Sequence, residues 1–401
     1  MQIDFLEWLN LAVRWLHLTA GIAWIGASFY FVWLDNSLEK APADAEAAGV
    51  SGHLWSVHGG GFYHNEKYPV GPEQMPKHLH WFKWEAYVTW LSGFSMLVLV
   101  YYIGARSFLI DPSKANLAVD DATALGISSL IVSWLFYHLV CKSPLGRDPR
   151  VMGAIWFAYL VGAAAFLESV FNSRGAYLHI GAIIGTAMVG NVFFVIIPNQ
   201  KKVVAALRAG EPIDPKLGAE GKQRSVHNNY MTLPVLFIMI SHHYPMTYGA
   251  DRPWLVLALL GATGIAVRHV FNVRHHDGKT GKWIALAVVL ALASVTYVSM
   301  EKAGAKPAAP VAQANTLNYA SIKPIMQKHC TECHAAAPTS DLFSEPPLGL
   351  KLETYAEVHA ARDKVKAMAV DSDVMPLGNM TGMTEEERAT LGAWIAKGAP
   401  E

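Results

Sequence analysis

The sequence predicts an all-α protein in two parts: a bundle of eight membrane-spanning helices, then a small soluble helical domain. Three observations carry this. The 401 residues are 52% apolar and only 16% charged, with a mean hydropathy of +0.23, whereas soluble domains carry about 25% charged residues. Apolar runs of roughly 20 residues, enough to cross a bilayer, recur eight times. After Met300 the chain turns polar, entering through Glu301-Lys302-Ala303-Gly304-Ala305-Lys306-Pro307, an Ala/Pro/Lys segment with no helical face. The predicted organisation is therefore a membrane domain over 1–300, a linker over 301–316 and a soluble domain over 317–401.

The eight predicted spans are Leu9–Leu34, Ala86–Ile110, Ala122–Cys141, Val151–Phe171, Ala176–Pro198, Tyr230–Tyr248, Pro253–Val273 and Lys282–Met300. The sixth is short, with Pro234 inside it and His242-His243-Tyr244-Pro245 at its end. The N-terminal residues Met1–Asn10 carry Asp4 and Glu7 and no basic residue, a pattern that predicts no cleavable signal peptide. Thirteen tryptophans suit interfacial belts. With the N-terminus outside, the four inner loops hold sixteen Lys and Arg and the three outer loops four. That bias obeys the positive-inside rule and puts the C-terminal domain outside. Basic and acidic residues balance at 32 each, so no nucleic-acid partner is expected.

In the C-terminal domain, Cys330-Thr331-Glu332-Cys333-His334 reads C-x-x-C-H. This is the attachment sequence for one c-type haem: two thiols bond to its vinyl groups and the imidazole is placed on the iron. The remaining cysteine, Cys141, implies no disulfide framework. A methionine is the expected sixth ligand. Met375 is favoured, because Met375-Pro376 precedes the acidic helix start Thr384-Glu385-Glu386-Glu387. Met380 and Met383 are the alternatives. The pattern is that of a small class I-like cytochrome c domain. It agrees with the loop charges, since c-type haem is attached on the outer side of the bacterial inner membrane.

Two stretches of the membrane domain go further: His58-Gly59-Gly60-Gly61-Phe62-Tyr63 and Leu79-His80-Trp81-Phe82-Lys83-Trp84-Glu85. Together with the domain order, the span number, Cys330–His334 and Met375-Pro376-Leu377-Gly378-Asn379, they resemble the bacterial membrane-bound urate oxidase family. That resemblance extends over the whole chain. It implies oxidation of urate to 5-hydroxyisourate, with electrons passed to the cytochrome c domain and on to a downstream cytochrome c or terminal oxidase, without hydrogen peroxide. It also implies a multi-pass protein of the inner membrane with both termini periplasmic. The alternatives are a quinol-oxidising cytochrome subunit and a membrane electron-relay subunit with no substrate of its own.

For urate, the long first inner loop is the expected wall, since glycines admit a flat ligand closely and aromatic rings stack on it. His58, Lys67, His80, Lys83, Glu85 and Arg268 are the candidate binding or catalytic residues. The alternative reading of that loop is an ordered interfacial segment. An inner site and an outer haem c require an electron relay. Membrane histidines suggest haem b or a metal, with His17 and His179 the first pair for the outer site, then His242, His243, His138 and His269. The loop pair His275-His276 lies near the inner face. Hydrogen bonding between helices is the plainer role for each. Arg14 with Glu168, and Glu85 with Arg268, are expected as ordinary buried ion pairs.

Overall fold

The computed structural model describes residues 5–274, 280–304, 317–340, 343, 345–372 and 374–401. Its elements run α1 (Phe5–Ser37), β1 (Gly52–His58), β2 (Gly61–Lys67), α2 (Trp84–Met96), α3 (Ala105–Phe108), α4 (Val119–Lys142), α5 (Pro149–Val170), α6 (Ser173–Gly190), α7 (Ile197–Ala209) and α8 (Pro215–Ser241). Then come α9 (Pro245–Tyr248), α10 (Pro253–Val273), α11 (Gly281–Gly304), α12 (Tyr319–His329), α13 (Tyr355–Ala360), α14 (Arg362–Ala369) and α15 (Glu385–Ala396). Wide π-type turns over Leu97–Tyr102 and Asn191–Ile196 carry the helical path on from α2 and join α6 to α7.

The chain is mostly helical, as expected, but not wholly so. The loop after α1 folds into an antiparallel hairpin, β1 on β2. Gly59 and Gly60, both left-handed at φ +59° and +80°, form its two-residue turn. Only Trp55-Ser56-Val57 alternates apolar and polar with the strand period of two.

Among the described residues six helices are long and apolar enough to cross a membrane: Trp8–Ser37, Val119–Lys142, Pro149–Val170, Ser173–Ala209, Pro253–Val273 and Gly281–Met300. The two other expected spans differ from their predicted bounds. The second runs Trp84–Tyr102 and stops before Gly104, where a Cβ would lie 2.6 Å from the Val100 carbonyl oxygen. The sixth begins fifteen residues earlier than expected and ends at Ser241, not at 248. Its first half, rich in Lys, Glu, Gln and Asn, is polar, and only its second half is apolar. The expected linker also starts later, because 301–304 remain helical. Residues 305–316 lie outside the described residues.

Helix α6 is the centre of the bundle, touching α2, α4, α5, α8 and α10. Small residues let its neighbours close in: Trp134 of α4 sits so near Gly190 that a Cβ there would be 2.7 Å from the ring. Tyr177, His179, Ile183 and Met188 of α6 are buried in the main core. Helices α1 and α11 are peripheral, packing on α2 and α10 respectively. Their outer faces leave Trp8, Leu11, Trp15, Val289, Leu292 and Val295 exposed, the composition a lipid-facing surface requires.

The C-terminal domain has its own core, with Ile322, Met326, Leu352, Val358, Leu391 and Trp394 all buried. Helix α12 crosses α15. Trp394 Nε1 donates to the Pro400 carbonyl at 2.7 Å and ties down the C-terminus. This domain rests on the bundle through Ser372, Val374 and the Leu377–Asn379 turn. Ser372 meets Gly249, Val374 packs against the main core, and the Leu377–Asn379 turn touches α3. A cleft of about 550 Å³ lies between the two, lined by Lys114, Glu168, Trp254, Asp371 and Arg388 among others.

Candidate functional site

The structure builds three polar centres. The first surrounds Cys330–His334. The turn is closed by backbone bonds from Cys333 and His334 to the Cys330 carbonyl, at 3.3 and 2.8 Å. Both thiols are free. Burial, aided by Cys333, pushes the Cys330 thiol up to about 12. Nδ1 of His334 lies 3.0 Å from the Leu350 carbonyl oxygen. A carbonyl can only accept, so Nδ1 carries the proton and Nε2 is the basic nitrogen available to a metal. Free paired thiols and an imidazole in this tautomer fit a c-type haem. Of the three methionines, Met383 is buried in the domain core and Met380 is exposed. Met375 is half-buried and clamped at its backbone: its N–H donates to Met368 O, and its carbonyl accepts from Arg388 Nη1, both at 2.7 Å.

The second centre is wholly within the bundle and was not foreseen. Tyr137 Oη lies 2.8 Å from His227 Nδ1 and accepts from Asn191 Nδ2 at 2.9 Å. Asn191 Nδ2 also donates to Asn228 Oδ1 at 2.8 Å, and Arg224 lies over the Tyr137 ring at 5.1 Å.

The third centre joins α1, α8 and α10. Arg268 Nε and Asn272 Nδ2 both donate to Asn229 Oδ1, each at 2.9 Å. The guanidinium of Arg268 stands 4.1 Å from the centroid of Phe29. Beside it is a cavity of about 220 Å³ lined by Phe29, Trp33, Asn36, Arg268, Phe271 and Arg274, among others.

Most of the other predicted site residues are not brought together. His58 ends β1 at the hairpin tip, exposed. Lys67 pairs with Asp35 at 2.7 Å. His80 is exposed and meets Phe82 edge-on. Lys83 lies over the Trp84 ring at 5.3 Å. Glu85 Oε2 is buried with no hydrogen-bond partner among the described residues. Neither expected ion pair is among the salt bridges of the described residues. Glu168 takes Lys114 and Ser173, Arg14 takes Asn10, and Arg268 takes Asn229.

Both nitrogens of His179 are engaged, Nδ1 with the Gly175 carbonyl at 2.8 Å and Nε2 with Tyr102 Oη at 3.3 Å. A Cβ on Gly126 would lie 2.7 Å from that Nε2. His17 Nδ1 contacts the Thr89 carbonyl at 2.9 Å, and its ring lies against Gly93. With both His179 nitrogens and His17 Nδ1 taken by protein groups, the pair as it stands does not present two open imidazoles to a haem b. His242 bonds to Met239 O and stacks on His243. His269 Nδ1 meets Tyr230 Oη at 2.6 Å. His138 packs on Trp134, its Nδ1 without a hydrogen-bond partner among the described residues. His275 and His276 lie outside the described residues. Among those described, no group of three or more His, Cys, Asp or Glu is arranged to hold a metal ion.

The residues missed in the sequence share one signal: amides and guanidiniums at helical spacing in apolar helices. Arg224 and Asn228 are four apart on α8, and Arg268 and Asn272 four apart on α10, so each pair shares a helix face.

A helical bundle with membrane-length helices and buried amide–guanidinium centres, joined to a C-x-x-C-H domain, defines a class of helical proteins with membrane-length apolar helices and an appended small helical domain. Within it, the chain belongs to the urate oxidase N-terminal family, whose model matches residues 3–299. That makes it a urate oxidase-related protein, an oxidoreductase acting on urate. The match covers the bundle and stops short of the C-terminal domain. No curated protein and no solved structure matches the chain.

Proposed function

We propose that the bundle oxidises urate to 5-hydroxyisourate, with water supplying the added oxygen, and that the two electrons leave through a haem c held by the C-terminal domain. The balance is urate plus water giving 5-hydroxyisourate, two protons and two electrons, so no oxygen is consumed at the site and no hydrogen peroxide forms. The observation that carries this reading is that one chain joins a urate oxidase family domain, residues 3–299, to a Cys330–His334 turn with His334 Nδ1 bonded to the Leu350 carbonyl.

Haem c, when bound, accepts and passes on electrons one at a time. The chain's own residues do the rest. Cys330 and Cys333 would tether the group, His334 would offer Nε2 to the iron, and Met375 would offer its sulfur. Arg388 holds the Met375 loop in place. The same loop, through Leu377–Asn379, rests on α3 of the bundle, so the segment carrying Met375 lies against the domain from which electrons would come. Loop charges support a periplasmic haem domain in a multi-pass inner-membrane protein, with a downstream cytochrome c or terminal oxidase as acceptor.

The test is anaerobic addition of urate to oxidised membranes bearing the protein. Reduced haem c absorbance should appear with 5-hydroxyisourate and without peroxide. Reduction by a quinol but not by urate would replace this reading with that of a quinol-oxidising subunit.

A further inference from the structure

We propose that the cavity between α1, α8 and α10 is where urate binds, with Arg268, Asn229 and Asn272 reading its charge and its lactam edge. The inference rests on the urate-oxidising reading above and adds the place and the recognition chemistry. Urate at neutral pH is a planar monoanion whose rings carry N–H and C=O groups side by side along their edges. A site for it needs flat apolar walls, a cation, and adjacent amide-type donors and acceptors.

The cavity's lining supplies the walls and the cation, and the amides of Asn229 and Asn272 stand directly behind Arg268 and beside Asn36 rather than in the lining itself. The cavity's volume is about 220 Å³, and Phe29, Trp33 and Phe271 are among its walls. Arg268 and Arg274 line it, and the described residues show no ion pair from a carboxylate to Arg268. Arg268 is 6% exposed, so its charge acts in a poorly solvated place.

The edge-reading atoms follow from the hydrogen-bond network. Arg268 Nε and Asn272 Nδ2 are both donors, so the Asn229 atom they share is its oxygen. This fixes both amides and leaves Asn229 Nδ2 and Asn272 Oδ1 outward from their shared bond. Each is buried without a partner among the described residues, although Asn229 is only 1% exposed. Such groups are costly to bury if nothing meets them. One spare donor beside one spare acceptor, next to a guanidinium, is the complement of a lactam N–H and C=O on an anionic ring. Asn36 completes the polar rim: it lines the cavity, and its Nδ2 donates to the Asn272 carbonyl at 3.3 Å.

The experiment uses purified, haem-loaded full-length protein and equilibrium binding of labelled urate, with 1- and 3-methylurate as competitors. Arg268→Gln and Trp33→Ala should each weaken urate binding about tenfold or more. Asn272→Leu should weaken it similarly and erase discrimination against whichever methylurate blocks the lactam edge. Haem content and dithionite-reduced spectra should stay at wild-type levels, which certifies folding. As a readout that does not depend on these buried positions, Asn36→Cys should react with a thiol reagent and be protected at least about fivefold by urate. Unchanged urate affinity in folded variants, or no protection at position 36, overturns the site, even where urate still reduces haem c. If wild-type protein neither binds urate nor is reduced by it, the underlying reading falls and the site with it.

Discussion

His334 and Leu350 are joined by a 3.0 Å hydrogen bond from Nδ1 to the carbonyl oxygen, across sixteen residues of chain. The bond sets the ring's tautomer and its rotation before any metal arrives, and Leu352 N–H bonding back to the His334 carbonyl at 2.8 Å holds the same strand of loop. Cys330→Ala with Cys333→Ala should therefore abolish covalent haem, giving a pyridine haemochrome with no haem retained after acid–acetone extraction. His334→Ala should retain thioether attachment in part and lose the low-spin spectrum.

The methionines separate by burial. Met375→Leu should remove the sulfur-to-iron charge-transfer band and lower the potential, whereas Met380→Leu, on an exposed side chain, should leave both unchanged. Loss of the band in Met383→Leu alone would reassign the ligand.

Docking of the two domains is close at Gly249. A Cβ there would lie 2.7 Å from that of Ser372 and 3.0 Å from the Pro245 carbonyl. Gly249→Val should push residues 372–379 off the bundle. Urate-driven haem reduction should slow by about tenfold or more at unchanged haem content and unchanged urate affinity, because a misplacement of about 1 Å can cost ~10²-fold. Stopped-flow absorbance reads it directly.

Glu387 links α15 to α12. Burial opposes its ionisation, but the Thr384 N–H at 2.8 Å and contacts from His329 and Lys328 outweigh it and hold the carboxyl at about 2. The His329 contact has ion-pair distance, 3.1 Å, without hydrogen-bond geometry. The folded value lies below the unfolded one, so the stabilisation is complete above the ordinary carboxylate range and fades as pH falls towards 2. Glu387→Gln keeps the capping acceptor and loses the charge. It should flatten the acid limb of haem-domain unfolding, followed by the Soret band, by ~1 kcal/mol or less between pH 6 and 3. An unaltered acid limb would show that Glu387 contributes nothing.

Legibility in the sequence followed the range of the interactions. Six of eight spans are long apolar runs, and a local run is all that crossing a bilayer asks for. The sixth was misjudged because a helix does not stop where apolarity does: α8 begins at Pro215, N-capped by Asp214, and carries its polar half out of the apolar layer. His80 and Lys83 drew notice as chemistry-bearing residues in an aromatic stretch, yet their side chains meet Phe82 and Trp84. Asn229 and Asn272 drew none, since a single amide in a helix says nothing until its partner is known.

By itself, the sequence determined the membrane-length helices, the Cys330–His334 turn and the apolar surface, since each rests on contiguous residues or on composition. Only the tertiary structure decided which polar groups meet. Arg268 and Asn229 are 39 residues apart, and Tyr137 and His227 are 90. Their pairing depends on how α4, α8 and α10 pack around α6, and hydrogen bonds reach only about 3 Å. A one-turn slide of any of these helices, about 5.4 Å, would dissolve both centres and leave every span intact.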